Sequence, residues 1–219
     1  MTLVIENLSV ASISNQLILE RANHVFSVGV TALTGRNGVG KSTLLRTLAT
    51  VHPIMDGMVS IGDTELAKNK RTYLTKLMFM PQTFATYPEL TGAEFLQLNL
   101  RLRGATRREA RLISTTWLDI VGLSHAAKAR TGSYSQGMLQ RLGIAYTLQV
   151  DADVYLLDEP FAGVDQEGRE ELMRAIFNAG QQKVLIISTH HTDEMMANGA
   201  NAVAIVERSI VQVPAAVLT

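Results

Sequence analysis

Short apolar runs alternate along much of the chain with stretches that have helical periodicity. The runs at 30–34, 77–80, 154–157, 184–188 and 202–206 predict buried strands, because a strand covered on both faces has no polar side. Helices are predicted at 42–50, 166–179 and 192–198. This alternation of strand and helix indicates strand–helix–strand units and therefore a parallel sheet.

Two other regions show different patterns. Alternation of apolar and polar residues at 3–8 and 25–28 predicts a partly antiparallel N-terminal sheet, and a turn at 53–57 leads to a short strand at 58–62. Between 88 and 131, capping boxes at Thr91 and Thr106 each predict the start of an amphipathic helix. We expect the apolar faces of these helices to carry, in order, Phe95, Leu96 and Leu100, and then Leu112, Ile113 and Trp117.

A glycine-rich loop follows the strand at 30–34. Residues 35–42, GRNGVGKS, satisfy G-x-x-x-x-G-K-[ST] in full and open the helix at 42–50. Glycines allow successive backbone N–H groups to face phosphate oxygens, and the helix N-terminus adds a positive dipole. Lys41 can reach the β- and γ-phosphates, and the Ser42 hydroxyl can bind Mg²⁺. The alternative, a glycine-rich turn with a chance Lys-Ser pair, does not explain the flanking strand and helix.

The strand at 154–157 ends in two adjacent acids, Asp158 and Glu159. Open α/β sheets bind ligands at the carboxyl ends of their parallel strands. A carboxylate at the end of a buried strand is costly unless it is paired or linked to a metal. An acidic strand end that only meets solvent is the alternative, but the phosphate loop gives these acids a chemical role.

Composition and charge narrow the class of protein. The chain has 219 residues, 47% of them hydrophobic, which suits one α/β domain with a covered sheet. Its formal charge of zero gives no sign of nucleic-acid binding, and the absence of cysteine excludes a disulfide framework. The N-terminus does not resemble a signal peptide, and no apolar run approaches the ~20 residues of a membrane span. We therefore expect any membrane pathway to belong to another chain.

Five motifs together resemble those of the nucleotide-binding subunit of an ABC transporter, and the resemblance covers nearly the whole chain. In order they are the phosphate loop, Gln82 after the strand at 77–80, the signature turn at 134–138, the acidic strand with Asp165, and His190. A loop glutamine or a lone histidine carries little information by itself. Five motifs in register are highly specific.

The resemblance implies an α/β fold with a P-loop NTPase core of ABC type. The expected mixed sheet has an N-terminal antiparallel β subdomain and an inserted helical subdomain. Within one domain over 1–219, the core is expected at 1–87 and 132–219 and the helical subdomain at 88–131. ATP and Mg²⁺ are the implied ligands.

Roles for individual residues follow from the same resemblance. Glu159 polarises the attacking water, His190 contacts the γ-phosphate, and Gln82 contacts Mg²⁺ and the water. The implied metal ligands are Ser42, Gln82 and Asp158, the last through water. The implied ATP-binding residues are Gly35, Arg36, Asn37, Gly38, Val39, Gly40, Lys41, Ser42, Thr43, Ile13, Ser135 and Gly137.

The signature turn departs from the family's common Leu-Ser-Gly-Gly-Gln. Tyr134, Gln136 and Met138 replace the first, third and fifth residues, whereas Ser135 and Gly137 are kept. In the family this turn completes the site of the opposite subunit, so two copies are expected to sandwich ATP, with Asp165 as a dimer contact. Endings in Gly-Met are familiar in exporter-type branches.

The adenine contact is a second departure. The family stacks adenine on an aromatic ring near the position of Ser12 and Ile13, but no aromatic residue precedes Phe26. Aromatic–base stacking can contribute ~1–3 kcal/mol. We therefore expect weak adenine selectivity, with Ile13 as a poor substitute contact.

The predicted function is that of an ATP-hydrolysing motor subunit. It is expected to lie at the cytoplasmic face of the cell membrane, attached through a separate permease subunit. A second nucleotide-binding subunit is the expected dimer partner. Phe84, Tyr87 and Leu90 either receive a helix of the permease or pack the helical subdomain's own core. One alternative is a soluble non-transport ABC ATPase, although tandem domains, a coiled coil and zinc ligands are not seen. A non-hydrolysing regulator is the other, which intact Lys41, Glu159 and His190 disfavour.

Overall fold

Each apolar run of the sequence forms a strand in the computed structural model, which describes residues 1–214. The last five residues of the predicted core segment 132–219 lie outside the described residues. The strands in chain order are β1 (Thr2–Ala11), β2 (Leu17–Ser27), β3 (Gly29–Thr34), β4 (Asp56–Ile61), β5 (Thr64–Glu65), β6 (Leu77–Met80), β7 (Val154–Asp158), β8 (Val184–Ser188), β9 (Asn201–Val206) and β10 (Ser209–Gln212). The helices are α1 (Lys41–Leu48), α2 (Lys70–Thr75), α3 (Gly92–Leu102), α4 (Arg107–Ile120), α5 (Gln136–Leu148), α6 (Gln166–Gly180) and α7 (Thr192–Ala197).

These elements form two compact units. The first contains Met1–Pro81, Ala152–Glu159 and the chain from residue 179 onward, and the second contains Gln82–Asp151 and Pro160–Asn178. The segment predicted as helical at 88–131 lies wholly within the second unit, which extends beyond it on both sides.

The first unit holds both sheets. The larger has the order β10-β9-β3-β8-β7-β6, in which β9, β3, β8, β7 and β6 run parallel and β10 pairs antiparallel with β9. Every residue of β7 and β8 is buried, as expected for strands covered on both faces. The smaller sheet, β2-β1-β4-β5, is antiparallel, which confirms the predicted mixed architecture.

Strand register determines which residues meet at the edge of the larger sheet. Asp158 at the end of β7 pairs with Ser188 at the end of β8, and Leu33 near the end of β3 pairs with the same serine. Because these strands are parallel, their carboxyl ends lie at one edge. The loop after β3 and the acids after β7 are therefore neighbours.

The second unit is helical. Thr91 and Thr106 cap α3 and α4 with complete capping boxes. Each threonine hydroxyl accepts from the backbone N–H of the glutamate three residues later, Glu94 or Glu109, and that glutamate's carboxylate accepts from the threonine's backbone N–H. These hydrogen bonds lower the pKa of both glutamates. The buried face of α3 carries Phe95, Leu96 and Leu100, as predicted.

The face predicted for α4 is wrong at one of its three positions. Leu112 is 68% exposed, whereas Ile113 and Trp117 are partly buried beside the buried Ala110, Ser114 and Leu118. Ala110 and Ser114 are fully buried, although a hydrophobicity pattern ranks these small residues below leucine. In the described part of the chain, no helix combines the length and the apolar composition needed to cross a bilayer.

Candidate functional site

The phosphate loop joins the end of β3 to α1 within the first unit. Gly35, Gly38 and Gly40 all have positive φ, of 131°, 80° and 113°. Residues with a side chain rarely adopt these conformations, so the glycines allow the loop to turn its backbone N–H groups inward. Gly40 is the N-cap of α1, and no side chain caps that helix end. The structure thus presents the backbone arrangement that binds an anion at a helix N-terminus.

Lys41 extends over this loop. Its side chain is nearly buried, and Nζ donates to the carbonyl oxygen of Gly35 at 2.6 Å and to that of Arg36 at 3.5 Å. Arg36 and Asn37 are exposed, and Thr43 lies in the first turn of α1. The ammonium group is therefore held at the mouth of the loop, next to the phosphate-binding backbone.

Asp158 connects the phosphate loop to the acidic strand. The hydroxyls of Ser42 and Ser188 donate to its Oδ1, at 2.9 and 2.6 Å. Asp158 is fully buried, and its Oδ2 is also buried but has no hydrogen-bond partner. A buried carboxylate oxygen without a partner is costly, so this atom has unused capacity for a cation.

These atoms fit the requirements of Mg²⁺. A hard cation binds oxygen ligands, retains several waters and takes one or two protein ligands beside substrate phosphates. The Ser42 hydroxyl and the free Oδ2 of Asp158 are such ligands, at the entrance to a phosphate loop. Among residues 1–214 there is no cluster of three or more acidic, histidine or cysteine side chains suited to a metal.

Glu159 and His190 lie next to each other at the same sheet edge. Their side chains meet at 3.2 Å, between His190 Nε2 and Glu159 Oε1. Glu159 has a left-handed φ of 48°, and its N–H donates to both the side-chain and backbone oxygens of Ser188, at 3.0 and 3.1 Å. Strained conformations of this kind persist where the surroundings fix them, as at functional sites.

Ser188 was missed by the sequence analysis. Its hydroxyl donates to Asp158 and accepts from the backbone N–H of Glu159, so that one buried side chain orients both acids. A signal was present, because Ser188 is the one polar residue of the buried run 184–188 and it precedes Thr189 and His190. Strand pairing then brings it beside β7.

The signature turn belongs to the second unit. Ser135 is the N-cap of α5, and its hydroxyl accepts from the N–H of Met138 at 3.2 Å. A Cβ on Gly137 would lie 2.7 Å from the carbonyl oxygen of Gly163, so only glycine fits there. The side chain of Gln136 lies against Gly163 of the same chain. The turn is thus packed on the loop that leads to Asp165.

Tyr134, which replaces the family's leucine, is anchored by its hydroxyl. The hydroxyl donates to the carbonyl oxygen of Ala126 at 2.8 Å, and burial raises the pKa of the phenol. The hydroxyl therefore fixes the residue just before Ser135.

Asp165 caps α6 in the same unit. Its Oδ1 accepts from the N–H of Gly168 at 3.0 Å and lies 3.6 Å from Arg141 Nη2. Its assignment as a dimer contact stays a prediction.

Gln82 also belongs to the second unit and is exposed. Its carbonyl oxygen accepts from the side chain of Gln140 at 3.4 Å. Nearby, the ring of Phe84 packs on Phe95 and Tyr146, with centroids 5.8 and 5.4 Å away, whereas Tyr87 is 61% exposed. Phe84 therefore contributes to the unit's own core, and Tyr87 is available on the surface.

Ile13 lies in a turn between β1 and β2 and is 94% exposed. The turn is closed by hydrogen bonds from the Asn15 and Gln16 N–H groups to Ser12. The structure therefore places Ile13 on the surface of the first unit without a packing role.

A largely parallel sheet, a glycine loop after β3 and an acid pair at the end of β7, two strands away, define a P-loop nucleotide-binding domain. The ABC transporter family matches residues 23–162, well over half of the chain. The chain therefore belongs to the ABC transporter family and carries its ATP-binding domain.

Individual relatives agree with this membership. The bacitracin transport ATP-binding protein BcrA of Bacillus licheniformis is 34% identical over 74% of this chain and 52% of its own length. The human retinal-specific phospholipid-transporting ATPase ABCA4 is 32% identical over 75% of this chain but 7% of its own length. The chain spans less than two thirds of such relatives.

A solved structure described as an ATP-binding subunit of an ABC transporter has the same fold. The two superpose with a TM-score of 0.86, which covers 97% of this chain and 90% of that one at 24% identity.

Proposed function

We propose that this chain is the ATP-hydrolysing motor subunit of an ABC transporter, which dimerises around ATP to drive a separate membrane subunit. The observation that supports it most is the bond between Ser42 of the phosphate loop and Asp158 of the acidic strand, with a free buried oxygen on the same carboxylate. A structural strand end has no need of that arrangement. A site for a metal–nucleotide complex does.

The first-unit residues have distinct tasks in hydrolysis. The loop N–H groups and Lys41 bind the β- and γ-phosphates, and the ammonium can donate to a phosphate oxygen because it carries three protons. When Mg²⁺ is bound, held by Ser42 and Asp158, it neutralises charge on the phosphates. Ser188 holds Asp158 in the orientation this requires.

Glu159 accepts a proton as water attacks the γ-phosphorus atom and the bond from that atom to the β–γ bridging oxygen breaks. The bridging electron pair leaves with ADP. His190, 3.2 Å from Glu159, orients the carboxylate toward the water. General-base assistance of this kind contributes ~10²–10⁴ in rate.

The second unit supplies what a partner's nucleotide needs. Ser135 and the N-terminus of α5 present a hydroxyl and a positive dipole, and α5 has 13 residues. In the proposed dimer this turn faces the γ-phosphate bound by the other protomer. The Asp165 turn, packed beside it, contacts the same partner.

A groove of about 510 Å³ on the second unit fits the proposed membrane subunit. Leu98 and Leu102 line it with Arg101, and Leu102 is 79% exposed. Glu94 also lines the groove, so the exposed leucines lie among charges of both signs and suit an amphipathic helix with a charged flank. A cytoplasmic helix of a permease is the proposed occupant, which places the chain peripherally at the membrane. The Gly-Met ending of the signature turn supports an exporter-type system, and the name of the bacitracin relative supports transport.

Replacing Glu159 with Gln tests the catalytic part of this proposal. The variant should bind ATP with unchanged affinity, and its turnover should fall by about 10²-fold or more because the general base is lost. The control variant Glu170→Gln makes the same substitution at an exposed residue of α6 and should hydrolyse ATP at the parent rate. Normal turnover by Glu159→Gln would show that another group activates the water.

Transport requires a separate test. The chain should co-purify from its native membranes with a multi-spanning membrane protein, and that complex should hydrolyse ATP. Recovery only in a soluble assembly would instead favour a non-transport ABC ATPase.

A further inference from the structure

Arg141 lies on α5 between the signature turn and the rest of the second unit. It follows Ser135 by six residues, and its side chain is only 17% exposed. A guanidinium is always charged, so burying it requires several specific partners.

Those partners come from the end of α4, from α6 and from the turn that precedes α6. Nη1 donates to the carbonyl oxygen of Val121, just after α4, at 2.9 Å, and to Glu171 Oε2 on α6 at 3.0 Å. Nη2 lies 3.6 Å from Oδ1 of Asp165, which also caps α6. One side chain therefore joins the helix of the signature turn to the Asp165 turn.

The space that holds the guanidinium is created by two glycines. A Cβ on Gly122 would lie 2.8 Å from Arg141 Nη1, and a Cβ on Gly168 would overlap Nη2 and lie 2.6 Å from Asp165 Oδ1. Gly168 lies in the first turns of α6, where an alanine would favour the helix. The sequence thus keeps an unfavourable residue in a helix at the point where Arg141 needs room.

We infer that Arg141 is a positioning residue, which holds the Asp165 turn and the Ser135 turn as one rigid surface for the partner protomer. The inference rests on the proposed ATP-dependent dimer. Two groups that must reach one partner together bind it more tightly when their relative position is fixed beforehand. A lysine cannot replace Arg141, because a single ammonium lacks the planar fork that reaches Val121, Glu171 and Asp165 at once.

The first test compares dimer formation in the Glu159→Gln background with Mg²⁺ and ATP, measured by analytical ultracentrifugation. Arg141→Lys should raise the dimer dissociation constant about tenfold, the size of one lost charged hydrogen bond. The affinity of the monomer for nucleotide should not change, because Lys41 and its loop belong to the first unit. Arg174→Lys, an exposed change on α6, serves as the matched control and should dimerise like the parent.

A second variant keeps Arg141 and fills its space instead. Gly168→Ala should displace the guanidinium and crowd Asp165 Oδ1, which would lie 2.6 Å from the added Cβ. It should therefore separate Arg141 from Asp165 and weaken the dimer by a similar factor, even though alanine favours the helix. The dimer of the double variant Arg141→Lys with Gly168→Ala should dissociate no more readily than that of the more affected single variant, because both changes remove the same contact.

The possible outcomes separate the two claims. Failure of the parent to dimerise with ATP would reject the proposed function, and the inference with it. A parent that dimerises while folded Arg141→Lys or Gly168→Ala matches it would reject the role of Arg141 alone. Loss of nucleotide affinity along with dimerisation would indicate a general structural defect and would also overturn the positioning role.

Discussion

Asp158 has one carboxylate oxygen that accepts from two serine hydroxyls and another that is buried without a partner. That asymmetry is the residue-level basis of the proposed chemistry. One oxygen fixes the side chain, and the other is left for a cation.

The sequence pointed to some members of this group better than to others. Ser42, Asp158 and Glu159 follow from local motifs, because each stands at a fixed offset from a glycine loop or an apolar strand. Ser188 could not be found in that way, since its contact with Asp158 depends on how two strands distant in sequence pair. Roles for Gln82 and His190 required the family resemblance.

The exposed Ile13 provides a test at the scale of one residue. An aromatic ring at this position should stack on adenine, so Ile13→Tyr should strengthen ATP binding by about 1–3 kcal/mol. Calorimetric titration with ATP and GTP would measure it, and the parent should discriminate weakly between the two. Ile13→Ala should leave both affinities nearly unchanged, because the exposed aliphatic side chain offers the base no aromatic face. Strong preference for ATP in the parent would show that adenine is held elsewhere.

At the scale of elements, prediction succeeded where local chemistry determines the result. Thr91 and Thr106 fix the starts of α3 and α4 through their own side chains, and both capping boxes form. The β10 strand was missed because its hairpin turn has Glu207 and Arg208, both at positive φ, in place of the usual glycine or asparagine. Tertiary contacts stabilise that turn, including a bond from Glu20 N–H to the Arg208 carbonyl oxygen at 3.0 Å.

The corrected face of α4 predicts which leucine stabilises the second unit. Leu118 is 2% exposed, so Leu118→Ala should lower the free energy of unfolding by about 2–5 kcal/mol through a buried cavity. Leu112→Ala, the matched control at 68% exposure, should change it by less than about 0.5 kcal/mol. Urea unfolding of both variants would decide. Equal losses would mean that the buried face had been assigned incorrectly.

At the scale of the whole molecule, the proposed machinery is divided between the two units. The first contains the phosphate loop, Asp158, Glu159 and His190, and the second contains Ser135 and Asp165. In the proposed mechanism the second unit acts on nucleotide bound by another protomer. This division could be predicted only from the family resemblance. A single sequence does not show whether the signature turn of one protomer contacts its own nucleotide or that of a partner.

Disulfide cross-linking tests the central claim, that two protomers grip each ATP head to tail. The chain has no cysteine, so Asn37→Cys in one protomer and Ser135→Cys in another give one thiol each. Both protomers carry Glu159→Gln to keep ATP intact. Under mild oxidation with Mg²⁺ and ATP, we predict a covalent dimer that joins residues 37 and 135 and fails to form without nucleotide. Cross-links that join 37 to 37 or 135 to 135, equally with and without ATP, would contradict the account.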